Sequence, residues 1–333
     1  MGTTQKQVNL RGLALRVLPS ILALAIIAWL LSQISLRDVA GLLSNLSYRW
    51  VAVGVACYIV TNVCRAFRLK VLLPNQTTHL PDLVSIAIAQ SMFNNILPAR
   101  VGELSLVYLL NRYERVPLSS ATVALILARV FDLVAVAAIF VVAALVSLGD
   151  LPEKASMVIR IVSVAMVLMV AVLVSAVRFG GPGLRLIQRI LEYFELDQHP
   201  VAEFGLAKML QVMQAFEAIQ TSKRYLYVFI WSLFIWFGTF AWFYAFLRST
   251  GIQVAVTSLI VGSTFAVLSK AIPFISIGGL GAHEVGWTAG FILVGLDKTT
   301  AIASGFAVNI LTILSSVILG ILGLLRLRNK GSA

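Results

Sequence analysis

The sequence predicts an all-α membrane protein with about six transmembrane helices plus two broken re-entrant helical hairpins in an inverted repeat. Three observations carry that prediction. The chain is 59% hydrophobic and 12% charged, whereas soluble domains carry about 25% charged residues. Several of its apolar runs approach or exceed the roughly 20 residues that a spanning helix needs. Two other apolar regions are interrupted by proline, glycine, amide and charged residues, where an unbroken span could not continue.

Lys6, Arg11 and Arg16 precede the apolar run Val17–Ile34. The run is too long for a signal peptide and lacks a small-x-small cleavage site. It is read as an uncleaved first span with a cytoplasmic N-terminus. Ser35–Arg49 is an outer connection, and Trp50–Cys64 is the second span, extended by the basic end Arg65, Arg68 and Lys70. Leu118–Leu148 contains the third span and Ser156–Val177 the fourth, joined by an outer turn at Gly149–Pro152. Two amphipathic surface helices are expected in Arg178–Arg224, punctuated by Gly180–Gly183 and His199–Pro200; a partner-docking arm is the alternative there. Tyr225–Leu247 is the fifth span and Thr299–Leu325 the sixth. Cys57 and Cys64 lie seven residues apart on one span, about 10 Å along a helix axis, too far for a disulfide.

The first broken region, about 82–112, centres on Asn94-Asn95-Ile96-Leu97-Pro98-Ala99-Arg100-Val101-Gly102-Glu103. Its apolar flanks are each too short to cross a bilayer. The expected shape is a helix that enters, breaks at Leu97–Val101 and returns to its own side. The second region repeats the pattern: Val256–Ile272 is apolar, Pro273–Gly281 breaks it, and Ala282-His283-Glu284 opens a short helix ending near Leu296. From glutamate to the polar residue of the following span the intervals are 26 (Glu103 to Arg129) and 25 (Glu284 to Asn309). A bland alternative places both regions as surface loops, which would leave their apolar flanks poorly buried.

Charge supports the topology. Basic residues flank the spans and form no patch, so positive-inside sorting accounts for the net charge of +12 better than nucleic-acid binding does. With the N-terminus inside, 18 Lys and Arg fall on cytoplasmic segments and six outside. The two hairpins then enter from opposite sides, an arrangement typical of transporters with a midplane site. The whole chain, 1–333, is read as a single polytopic domain. Its repeat cores lie at about 82–148 and 256–325, with a cytoplasmic amphipathic segment at about 178–224.

The Leu-Pro-x-Arg-x-Gly-Glu element (Leu97–Glu103) and the Gly-Gly-Leu-Gly-x-x-Glu element (Gly278–Glu284) resemble the paired motifs of the lysylphosphatidylglycerol synthase transmembrane-region family. That family includes the flippase half of the multiple peptide resistance factors and flippase-like integral membrane proteins. The resemblance covers nearly the whole chain and implies a lipid-translocating membrane domain. His283 and Asn309 stand where the family often carries arginine. The soluble aminoacyl-transferring half of the resistance factors has no counterpart in these residues, so lipid aminoacylation is not expected of them.

The candidate substrate-binding residues are Arg100, Glu103, Arg129, Asp132, Lys270, His283 and Glu284, with Asn94, Asn95 and Asn309 lining a cavity. Arg100 offers a guanidinium fork matched to phosphate oxygens, or it caps carbonyls freed by the break. Glu103 and Glu284 open helices whose dipoles favour a carboxylate there, and proton coupling or headgroup contact is the other role. Arg129 and Asp132, three apart in an apolar span, are expected to pair internally and to mark a pathway wall. Lys270 faces the site or serves as a C-terminal dipole partner. His283 is a protonation switch or a hydrogen-bonded core histidine. Trp231, Trp236 and Trp242 are assigned to lipid contact and interfaces.

His79, His199 and His283 have no metal-ligand spacing, and neither a catalytic constellation nor a nucleotide loop is present. No cofactor, metal or nucleic acid is expected. The function read from the sequence is a flippase or transporter moving an amphipathic, anionic or phosphate-bearing lipid between leaflets of the plasma (inner) membrane, with both termini cytoplasmic. A membrane accessory or scaffold for a lipid-modifying or cell-envelope synthesis enzyme is the second reading. A lipid-linked glycosyltransferase is the third.

Overall fold

The computed structural model describes residues 41–73, 77–97, 101–147, 149, 152–193, 222–270, 276–277 and 280–331. The expected first span Val17–Ile34, Arg100, most of the second break and 194–221 lie outside the described residues. The elements are α1 (Tyr48–Leu72), α2 (Leu80–Ile96), α3 (Val101–Glu114), α4 (Leu118–Ser147), α5 (Glu153–Tyr193), α6 (Ser222–Ser249), α7 (Val256–Ser269), β1 (Ser276–Ile277), β2 (Leu280–Gly281), α8 (Ala282–Leu293) and α9 (Lys298–Gly331). Apart from the two-residue antiparallel ladder β1–β2, the described chain is helical, as expected of an all-α membrane protein.

Among the described residues, five helices are long and apolar enough to span a bilayer: α1, α4, the Glu153–Leu173 part of α5, α6 and α9. The apolar window of α4 is 61% buried and that of α5 only 17%, so α4 is central and α5 peripheral. α5 differs from expectation. It runs unbroken through Gly180–Gly183 to Tyr193, where the sequence predicts a stop. One proline removes one amide donor from the ladder, and the helical runs on both sides carry the backbone through it.

α2 and α3 form one antiparallel pair and α7 and α8 another. With 17, 14, 14 and 12 residues, none of the four is long enough to span alone. In the first pair the backbone of Gly102 approaches the Phe93 carbonyl closely, and the open end is tied by the His79 amide donating to Glu114 Oε2 at 2.9 Å. In the second, Gly290 lies against the Gly262 backbone and Gly286 against Phe265 and Ala266, while Ser269 donates to the Ala282 carbonyl at 2.6 Å. A glycine four residues from a glycine lets two helix backbones touch where a side chain would hold them apart.

The open ends of the two hairpins lie at opposite ends of the bundle. At the Glu114 end, Arg326 of α9 donates to the Pro81 carbonyl at 2.9 Å and Lys70 of α1 donates to the Thr78 carbonyl at 3.4 Å. At the other end, the Ser47 amide before α1 donates to the Ser249 carbonyl closing α6 at 2.8 Å. There Leu259, Val294, Leu296 and Ala301 share one apolar cluster with Leu46 and Leu247. Asp297 accepts the Thr300 amide at 2.9 Å at the start of α9, and that bond holds its carboxyl below the usual range.

The span after each hairpin crosses to the other hairpin. α4 packs on α7, the entering helix of the second pair, and α9 packs on α2, the entering helix of the first. α1 and α6 make the most extensive helix pair beside them, with Gly54 under Phe246 and Gly238 under Thr61.

Gly290→Ala tests the close approach in the second hairpin. Its Cβ would collide with the Gly262 backbone, and overpacking of this kind costs about 1–3 kcal/mol. The variant should melt several degrees lower in detergent. Gly149→Ala, where a Cβ meets nothing within 4 Å, should melt like the parent chain.

Candidate functional site

The tips of both hairpins open onto one cavity of about 380 Å³. Asn94, Asn95 and Leu97 reach it from the end of α2, Glu103 from the start of α3, and Val267, Leu268 and Lys270 from the end of α7. The middle of the bundle supplies the remaining wall: Tyr58 and Arg65 of α1, Arg129, Asp132, Leu133 and Val136 of α4, Trp236, Thr239, Trp242 and Phe243 of α6, and Thr312 of α9. A second recess of about 120 Å³ adjoins it, sharing Arg65, Asn94, Arg129, Asp132 and Trp236 and adding Arg68 and Gln90. Cavities of a few hundred Å³ with an apolar wall and a few convergent polar groups are the usual form of small-ligand sites.

The residues singled out in the sequence divide into two groups. Asn94, Asn95, Glu103, Arg129, Asp132 and Lys270 line the larger cavity. His283, Glu284 and Asn309 are fully buried and do not line it. Glu284 accepts the Gly281 amide at 2.7 Å and the Asn309 side-chain amide at 2.6 Å. Gly281 takes a positive φ of 88°, a conformation that glycine adopts without strain, and that turn aims its N–H at the carboxylate. Glu284 thus caps α8 and anchors it to α9. His283 is not the hydrogen-bonded histidine that one alternative expected. Its ring packs 5.4 Å from Trp287 and 5.9 Å from Phe243, and neither nitrogen has a partner among the described residues.

The expected Arg129–Asp132 ion pair is present, but it is not the principal contact of that carboxylate. Asp132 is held mainly by Arg68, whose Nη1 lies 2.5 Å from Oδ1 and Nη2 3.3 Å from Oδ2. Trp236 Nε1 donates to the same Oδ1 at 3.1 Å, and Arg68 also donates to Ser232 at 2.9 Å. Arg129 stands 3.5 Å from Asp132 Oδ2, but its Nε lies 3.2 Å from Glu103 Oε2 as an ion pair without hydrogen-bond alignment. The span-internal neighbour at i+3 keeps an ion-pair contact, while the fork of Arg68 meets Asp132 squarely across the helix interface. Both hairpins therefore carry the same tie: the glutamate opening the second helix contacts the polar residue 26 or 25 positions later in the following span.

Arg65 and Arg68 were placed by sequence at a basic cytoplasmic end. The structure puts Arg65 in the cavity wall and Arg68 inside the bundle at 6% exposure. A signal for this exists in the chain: Tyr58, Asn62, Arg65 and Arg68 follow one another at spacings of four and three, a polar stripe on one face of an apolar helix. Such a stripe faces protein and not lipid. Trp236 and Trp242, read as lipid-contacting, likewise line the cavity.

A buried pair broken on one side commonly costs about 3–5 kcal/mol. Asp132→Ala should therefore lower the melting temperature in detergent strongly, and adding Arg68→Met should recover part of the loss. Adding Arg129→Ala instead should recover little. Equal rescue by both arginine changes would contradict the assignment of Arg68 as the principal partner.

Among known families, the lysylphosphatidylglycerol synthase TM region matches residues 16–320, nearly the full 333 residues. No curated protein and no solved structure matches the chain. The match takes in both broken hairpins, the spans that cross between them and the cavity at their tips, and the chain belongs to the lysylphosphatidylglycerol synthase transmembrane-region family, an integral membrane protein family.

Proposed function

We propose that this protein translocates an amphipathic lipid with an anionic or phosphate-bearing headgroup between leaflets, by alternating access at the cavity between the hairpin tips. The carrying observation is that two helix pairs too short to span enter the bundle from opposite ends and stop at one cavity. Broken backbone at membrane depth is tolerated where it is buried in protein or lines a wet cavity. In this reading the hairpins are re-entrant and the halves 82–148 and 256–325 are inverted repeats. The reciprocal packing of α4 on α7 and of α9 on α2 supports this. Rocking of one hairpin with its span against the other would open the cavity to each side in turn.

The cavity charges suit an anionic headgroup. Arg65, Arg129 and Lys270 line it beside Glu103 and Asp132, each of which already faces an arginine. Arg100, the guanidinium that the sequence singles out, lies outside the described residues. The chain is read as a transporter and not as an enzyme, and a scaffold for a lipid-modifying enzyme is the competing assignment.

Reconstitution decides between them. Proteoliposomes containing the full chain should exchange an anionic phospholipid between leaflets faster than protein-free vesicles. Lys270→Gln, normalised to folded protein, should slow exchange about tenfold while shifting the melting temperature little. A scaffold would leave the exchange rate at the vesicle background. Orientation is tested by single-cysteine labelling in a Cys57/Cys64-free background, in which Gly149→Cys should react from outside the cell. Labelling from the cytoplasm alone would overturn the inverted topology.

A further inference from the structure

At the open end of the first hairpin, three metal-ligating side chains converge, none of them part of the cavity wall. His79 is the N-cap of α2, Asp82 stands in its first turn, and Glu114 is the last residue of α3. α3 stops there as Arg115 takes a positive φ of 56°. Asn111 holds the turn by donating to the Val116 carbonyl at 3.0 Å. The antiparallel pairing of the two helices then sets the end of one against the start of the other. One ligand atom from each residue, an imidazole nitrogen and two carboxylate oxygens, lie within 4.8 Å of one another. His79 Nδ1 is 3.7 Å from Glu114 Oε2, and the same oxygen accepts the His79 amide at 2.9 Å.

The cluster is not an ordinary solvated acidic face. The Glu114 side chain is only 2% exposed and that of Asp82 7%, while the His79 side chain is 70% exposed. Two carboxylates this close and this dry repel each other, and nearby positive charge keeps both ionised. Arg326 Nη2 lies 3.8 Å from Asp82 Oδ1, but the side chain is half-exposed and its Nη1 is engaged by the Pro81 carbonyl. A cation held between the three residues would meet both carboxylates at once. Ligand atoms about 2.0–2.1 Å from a common Zn²⁺ stand about 3.3 Å apart at the tetrahedral angle. Small side-chain rotations close the remaining distance, and the exposed imidazole is free to make them. Three ligands are few for Ca²⁺, which takes about six to eight oxygens. An imidazole beside carboxylates favours Zn²⁺ over Mg²⁺.

We propose that His79, Asp82 and Glu114 form a Zn²⁺ site that clips the base of the first hairpin, with a water in the fourth position. The ion ties the first turn of α2 to the last residue of α3, at the end of the bundle where Arg326 of α9 docks. The Thr78 hydroxyl beside His79 is buried without a hydrogen-bond partner among the described residues, and the metal-bound water would be a partner of the right kind. The sequence gives little sign of the site, because its ligands come from two helix ends and include one histidine. The site is independent of the lipid reading above.

The test uses the full chain without an affinity tag, stripped with a chelator in detergent micelles. Buffered Zn²⁺ should bind at one ion per chain, and saturation should raise the melting temperature by a few degrees. Co²⁺ in its place should give the intense visible absorption of a four-coordinate site, while Mg²⁺ and Ca²⁺ should leave the melting temperature unchanged. His79→Ala should weaken Zn²⁺ binding by at least about tenfold and remove the Co²⁺ band. Metal-free, that variant should melt like the parent, since the ring is exposed and the backbone amide still reaches Glu114. Glu114→Gln and Asp82→Asn should also lose the ion; if either fails to fold, His79→Ala decides. His199→Ala should bind as the parent does. Full Zn²⁺ affinity in His79→Ala, or no saturable binding by the parent, overturns the proposal and leaves the cluster as an ion pair between His79 and Glu114.

Discussion

The constraint on which the structure depends is that two helices stop inside an apolar bundle. A helix end leaves backbone donors or acceptors unpaired, and in an apolar interior each such group is costly. The second hairpin meets this need with one side chain. Glu284 takes the freed Gly281 amide and, with its other oxygen, the amide of Asn309. The contact that satisfies broken backbone also fixes the angle between α8 and α9. In the first hairpin Glu103 occupies the matching position and meets Arg129 of α4. Each hairpin is thereby tied to the span that follows it.

Those ties explain the layout of charge. Arg129 neutralises Glu103, so it is not the principal partner for Asp132 on its own helix. Arg68 comes from α1 to fill that role, and Ser232 and Trp236 bring α6 to the same point. Three helices are joined through a single buried carboxylate. The pairing is unusually demanding, because losing either partner strands a charge inside the protein. Arg65, one turn before Arg68 on the same helix, hydrogen-bonds to the neutral side chains of Ser91 and Asn62 among the described residues.

Glycine contacts within α7–α8 and between α1 and α6 allow backbones to approach closely, which stiffens each unit. The cavity lies where these helices meet. The peripheral position of the Glu153–Leu173 part of α5 keeps it clear of the cavity.

The sequence by itself determined the class and the rhythm of the chain. Composition, span length and the two proline–glycine interruptions follow from the energetics of backbone in lipid, which act locally and are readable in order. The spacing from each hairpin glutamate to its later partner, 26 and 25 residues, was also legible, since nearly equal intervals place equivalent residues at similar depths. What only the tertiary structure decided was partnership. Arg129 stands three residues from Asp132 and pairs with it at 3.5 Å, while Arg68, sixty-four away, makes the closer contact, which proximity along the chain does not reveal. Side chains choose by geometry across helix interfaces, and an interface depends on which faces meet. For the same reason Arg65, Tyr58 and Trp242 read as a basic end and as ordinary apolar surface until α1, α4 and α6 were brought together around one space.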